Sequence, residues 1–85
     1  MQLKRGNEGL LFGARLREVR LARGLTQRDL ADRCGTSVPA ISHMERGTKV
    51  PNLTTVVRLA DALGCRVTKL VEVLDATRGT TTRRN

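Results

Sequence analysis

Glycines at 24, 35, 47 and 64 cut most of this 85-residue chain into short segments, and each segment spaces its apolar residues at helical intervals. Phe12, Leu16 and Val19 recur on one face before Gly24. Leu30, Ala31 and Cys34 do so before Gly35, and Ile41 and Met44 before Gly47. Leu53, Val56, Leu59, Ala60 and Leu63 form the inner face expected before Gly64. Isolated helices this short are marginal in water, so they must bury one another. Phe12 is the one aromatic residue, and the core must therefore be aliphatic. A chain of this length makes one small domain that buries about 60–65% of its unfolded surface. No useful run of strand-type alternation is present, so the fold class is all-α, with five helices.

The boundaries follow from capping chemistry. Thr26 precedes the second helix with Asp29 three residues on, close to a capping box. Ser37 caps the third, with Pro39 in its first turn, where a missing N–H does no harm. TKVPN reads as a loop, and Asn52 caps the fourth helix. A fifth helix is expected from about Val67 to Leu74, although Arg66 is a poor N-cap. Residues 1–10, polar and aperiodic, are expected to form a flexible arm. Residues 76–85, ending ATRGTTTRRN, carry too few apolar groups to pack and are expected to be a disordered basic tail. The folded domain would span 11–75.

Charge narrows the function. The net charge is +8, from 16 Lys and Arg against 8 Asp and Glu. The first nine residues contribute +1, residues 10–75 contribute +4 and the last ten contribute +3. Such a basic balance favours nucleic acid over generic solubility. Anionic lipid fits less well without a basic amphipathic helix bearing aromatic anchors. The absence of Tyr and Trp argues against stacking on single strands. No segment has the length of a membrane span or a secretory core, so the expected location is cytoplasmic. Cys34 and Cys65 lack metal-ligand spacing, and His43 is the only histidine. Both cysteines read as small buried hydrophobes, with a disulfide the lesser alternative. No metal or cofactor is called for. An enzyme is disfavoured, because the chain offers no nucleophile–base pair and no phosphate-cradling loop.

The third helix carries Ser37, Val38, Pro39, Ala40 and Ser42, small and uncharged residues where a core-completing helix would show charge. A helix, a tight glycine turn and a second helix with a bare face form a helix-turn-helix unit over about 26–45. Plain αα-hairpins share that spacing. The bare face and the basic charge favour double-stranded DNA in the major groove. Val38, Pro39 and Ala40 cannot form bidentate hydrogen bonds to bases but can touch thymine methyl groups. Ser42 and His43 remain as polar readers, unless His43 is merely an exposed helix residue. Specificity then leans on apolar contact and DNA shape.

The stretch from FGARLREVRLARGLTQRDLADRCG through ISHMERGTKVPNLTTVVRLADALGC resembles the Cro and phage-repressor (Xre) helix-turn-helix family over about residues 11–74. That resemblance implies a compact lambda-repressor-like domain that binds operator DNA as a homodimer and represses transcription. It implies that Gln27 binds a phosphate at the start of helix two. Arg46, Thr48 and Lys49 would hold the DNA backbone from the loop after helix three. Arg20 and Glu45 would form a structural ion pair. Val67, Leu70, Val71 and Leu74 make an apolar stripe that either completes the core or meets a second copy. Phage-type repressor, restriction–modification controller and antitoxin with a toxin protein partner all fit this bare domain. A protein-interaction module that has left DNA is the remaining alternative.

Overall fold

The computed structural model describes residues 7–78; residues 1–6 and 79–85, most of the two expected termini, lie outside that range. The helices are α1 (Asn7–Ala22), α2 (Gln27–Cys34), α3 (Val38–Glu45), α4 (Leu53–Leu63) and α5 (Val67–Val71). A 3₁₀ segment, Glu72–Thr77, follows α5 directly. No strand occurs among the described residues.

Local chemistry sets most of these boundaries. The Thr26 hydroxyl accepts from the Asp29 amide, and the Thr26 amide donates back to the Asp29 carboxylate, both at 2.9 Å. Asp29 is thereby held as the anion: the hydrogen bonds from Thr26, backbone first, pull its carboxyl below the ordinary aspartate range. Ser37 accepts from the Ala40 amide at 3.2 Å, and Asn52 from the Thr55 amide at 2.8 Å. Gly35 closes α2 at φ 70°, a left-handed conformation costly for any residue with a Cβ. Arg66 supplies no side-chain cap to α5.

Three boundaries differ from the sequence expectation, the simplest being that residues 76 and 77 of the expected tail lie in the 3₁₀ segment. Helix α1 begins at Asn7, so residues 7–10 of the expected arm are helical. The reason is tertiary. Gly9 is buried, and a Cβ there would meet the Gly47 carbonyl oxygen at 3.1 Å and Val50 at 3.2 Å. The helix extends because its first turns have a surface to lie on. At the other end, α5 stops at Val71 rather than Leu74. Arg15 Nη1 takes the Lys69 carbonyl at 2.8 Å and the Glu72 carboxylate at 3.0 Å, and there the chain tightens into the 3₁₀ turn.

The core joins all five helices. Leu16, Leu30, Ile41, Leu59 and Leu70 are fully enclosed, with Phe12, Val19, Met44, Val56 and Leu63 around them. Each such side chain contributes about 1.5–3 kcal/mol of burial. Helix α1 packs on α3 almost backbone to backbone. A Cβ at Gly13 would collide with the Met44 carbonyl and lie 2.5 Å from that of Glu45. The last two carbonyls of α4 are satisfied from elsewhere in the fold: Arg23 Nε, in the turn after α1, donates to Leu63 O at 2.8 Å and Arg33 Nη1, on α2, to Ala62 O at 3.3 Å. Leu53 departs from expectation. It is 84% exposed, because it opens α4 and its side chain projects beyond the core. Cys34 and Cys65 are free and only half-buried, and burial pushes the Cys34 thiol up.

Candidate nucleic-acid interface

The site is built on the corner between α2 and α3. The Gly35 turn is held by the Thr36 amide, which donates to Ala31 O at 2.9 Å. It delivers Ser37 to the start of α3. Ile41, Met44 and Glu45 point inward from α3 and are buried. Ser37, Pro39 and His43 are exposed, and Ala40 and Ser42 are half-covered. Val38 is likewise half-covered, with part of its side chain packed against the core. The outer surface of α3 is therefore small, and its only long polar side chain is His43.

One buried network holds this corner rigid. Arg20 Nε donates to Glu45 Oε2 at 2.6 Å and Nη2 to Oε1 at 3.1 Å, a two-pronged pair with side chains only 7% and 3% exposed. Arg20 Nη1 donates to Leu25 O at 2.8 Å. Gln27 Nε2 donates to Glu45 Oε1 at 3.1 Å. One of the two amide hydrogens of Gln27 is thus committed to α3. Helices α1, α2 and α3 are tied through a single carboxylate. The first amides of α2 have no intrahelical partner, and only that of Asp29 is taken by Thr26. The positive end of α2 is left toward solvent beside Gln27.

The loop after α3 is equally defined. The amides of Thr48 and Lys49 both donate to His43 O, at 3.0 and 3.3 Å. Gly47 adopts φ 78°, and a Cβ there would lie 2.9 Å from Leu10 of α1. Arg46, Thr48 and Lys49 are exposed on this loop. Arg46 Nη2 and the Thr48 hydroxyl each lie 3.1 Å from His43 Nδ1. Two cations thus flank the C-terminal end of the bare helix, and the Gln27–Glu45 contact brings the N-terminus of α2 to that same end. Sequence reasoning missed Arg28, exposed in the first turn of α2. A cation there opposes the helix dipole, and that was the available signal of an anionic ligand.

The expected stripe on α5 splits. Leu70 is fully enclosed and belongs to the core, which corrects its assignment to an interface. Val71 and Leu74 pack against the core while remaining half-buried, and Val67 is 38% exposed. Val71 and Leu74 line an apolar groove with Phe12, Val50, Leu53 and Val56. Among the described residues no helix is long and apolar enough to cross a membrane. No group of three His, Cys, Asp or Glu among them is placed to hold a metal.

Two short helices across a glycine turn, the second bare outward and flanked by cations, define a helix-turn-helix protein. Residues 16–70 match the family model described as helix-turn-helix. The chain belongs to the Xre-type helix-turn-helix family of DNA-binding transcriptional regulators. It is 44% identical over 61 residues to the propionyl-CoA carboxylase regulator of Cereibacter sphaeroides, covering 72% of this chain and 13% of that protein. It is 45% identical over 58 residues to the HTH-type transcriptional regulator DdrOP3 of Deinococcus deserti, covering 68% and 45% respectively. This chain therefore spans less than half of either relative. The solved restriction–modification controller C.AhdI of Aeromonas hydrophila superposes with a TM-score of 0.73 at 36% identity. That match covers 75% of this chain and 97% of the controller.

Proposed function

We propose that this protein is a cytoplasmic transcriptional repressor that binds a pseudo-palindromic operator in double-stranded DNA as a homodimer. The observation that carries the reading is the bare outer face of α3, bordered at its C-terminal end by the exposed cations Arg46 and Lys49. In this reading Ser37, Pro39, Ala40, Ser42 and His43 enter the major groove. The α2 amides beside Gln27 and the loop residues Arg46, Thr48 and Lys49 hold phosphates. The family supports DNA as the partner, and no catalytic step is assigned to the chain.

The homodimer would be held by an apolar face wider than the α5 stripe. Val50 is 68% exposed and, with Leu53, lies beside Val71 and Leu74; Val57 is 47% exposed on α4. A single helix-turn-helix contacts too few base pairs for operator specificity, and pairing two would place the recognition helices about 34 Å apart. The controller subtype is favoured over the antitoxin by one observation, the match along 97% of C.AhdI.

The test is selection of duplexes from a random library, followed by titration of the enriched duplex at several salt concentrations. Two inverted half-sites about one helical turn apart are expected. With about 6–8 phosphates neutralised per dimer, affinity should fall roughly 10³-fold or more between about 50 and 200 mM salt. No enrichment, or a salt-independent affinity, refutes the reading.

A further inference from the structure

We infer that Pro39 reads the C5 methyl group of a pyrimidine in the major groove, so that thymine and 5-methylcytosine serve equally at one position of each half-site and binding responds to cytosine methylation. This rests on the proposed groove-facing role of α3 and names what that face reads. Pro39 and His43 stand four residues apart, about one helical turn, and both are exposed; Ile41, Met44 and Glu45 occupy the buried side. A recognition helix brings its N-terminal residues to the base edges. Pro39 is the most exposed side chain in the first turn of α3, between the half-covered Val38 and Ala40. That turn is nearly stripped of hydrogen-bonding groups. Proline has no N–H. The Ala40 amide is taken by the Ser37 hydroxyl at 3.2 Å, and the Ile41 amide by the Ser37 carbonyl at 3.1 Å. The side chains of Val38, Pro39 and Ala40 hold carbon alone.

Such a surface can discriminate bases by one feature. In the major groove the C5 methyl of thymine is the apolar group among the donors and acceptors of the base edges. Cytosine carries hydrogen at that carbon, and methylation of cytosine puts a methyl at the same ring position. The pyrrolidine ring is already rigid, so packing it on a methyl immobilises no side-chain rotor. A carbon surface pairs with neither the O4 acceptor of thymine nor the N4 donor of cytosine, which separates it from a hydrogen-bonding reader. The methyl, not the identity of the base pair, then sets the affinity at this position.

The experiment titrates the library-enriched duplex with three changes at each thymine in turn: thymine to uracil, T·A to C·G, and T·A to 5-methylcytosine·G. Uracil deletes the methyl and leaves every donor and acceptor in place. At one position per half-site uracil should weaken binding about fourfold, and about 15-fold when both half-sites are changed, the scale of one buried methyl group at each. At that position C·G should cost the same as uracil, and 5-methylcytosine should restore the thymine affinity. Pro39→Ser alters an exposed residue with no amide hydrogen to lose, so circular dichroism should show the fold kept while the uracil penalty disappears. His43→Ala should weaken binding yet retain the penalty, because a different side chain makes the methyl contact. Uracil tolerated at every position, a C·G loss that 5-methylcytosine does not recover, or a penalty that survives Pro39→Ser or vanishes in His43→Ala overturns the inference. Equal affinity for the thymine and uracil duplexes would do so while leaving the repressor reading standing; failure to enrich any duplex removes both.

Discussion

The α2–α3 corner and the α4–α5 end of this small domain are finished to different degrees. At the corner, both helices are capped by side chains, the buried charges are mutually paired, and glycines admit backbone contact. At the α4–α5 end, α5 has no side-chain cap, Leu53 and Val50 stand in solvent, and an apolar groove of about 140 Å³ lies open beside Val71 and Leu74. The corner is complete as a monomer and presents a fixed polar surface. The other end leaves apolar area that a monomer does not use. The proposed homodimer would use both: one surface already rigid before DNA arrives, another that is satisfied only by association.

The largest effect should come from breaking the corner. Glu45→Ala leaves the Arg20 guanidinium buried without its carboxylate and frees Gln27, at a cost of about 3–5 kcal/mol. Thermal unfolding should show a Tm lower by roughly 15 °C or more. A shift of only a few degrees would mean the network is dispensable. Gly13→Ala should cost about 1–3 kcal/mol, because the new methyl meets the carbonyls that end α3, and denaturant unfolding measures it.

Perturbing the other end should separate stability from association. Leu53→Glu is expected to change monomer stability by no more than about 0.5 kcal/mol, since the side chain touches little. The same substitution should abolish the dimer in sedimentation; a mutant that unfolds instead would place Leu53 in the core after all. The smallest effect concerns Asp29. Its folded carboxyl is held below the usual range, so its stabilising contribution is present above the unfolded aspartate pKa of about 3.9 and is lost as pH falls through the lower folded value. A stability gap between wild type and Asp29→Asn should accordingly exist at neutral pH and close in acid. A gap that persists in acid would contradict the ionised cap.

What could be read in the sequence was local. Thr26, Ser37 and Asn52 act on amides three residues away, so spacing alone locates them. The start of α1 was not legible, because Gly9 is a poor helix former and only Gly47 and Val50, some forty residues on, explain why it is helical. Leu53 shares helical spacing with Val56, yet periodicity does not reveal that the first turn of α4 overhangs the core. Gln27 at the start of α2 suggested a phosphate ligand, while its side chain turns to Glu45, a partner that only the packed fold brings near. Leu70 lay on a stripe with a plausible external role and was claimed by the core, which also takes part of Val38.

The central claim is that the corner, not the α4–α5 end, meets DNA. Backbone amide chemical shifts recorded while the library-enriched duplex is titrated into ¹⁵N-labelled protein test it directly. The account predicts the largest changes at Gln27, Arg28, Ala40, His43, Thr48 and Lys49, with Leu53 and Val57 nearly silent once the protein is already dimeric. Changes concentrated on Leu53, Val57 and Val71, with α3 unmoved, would contradict it.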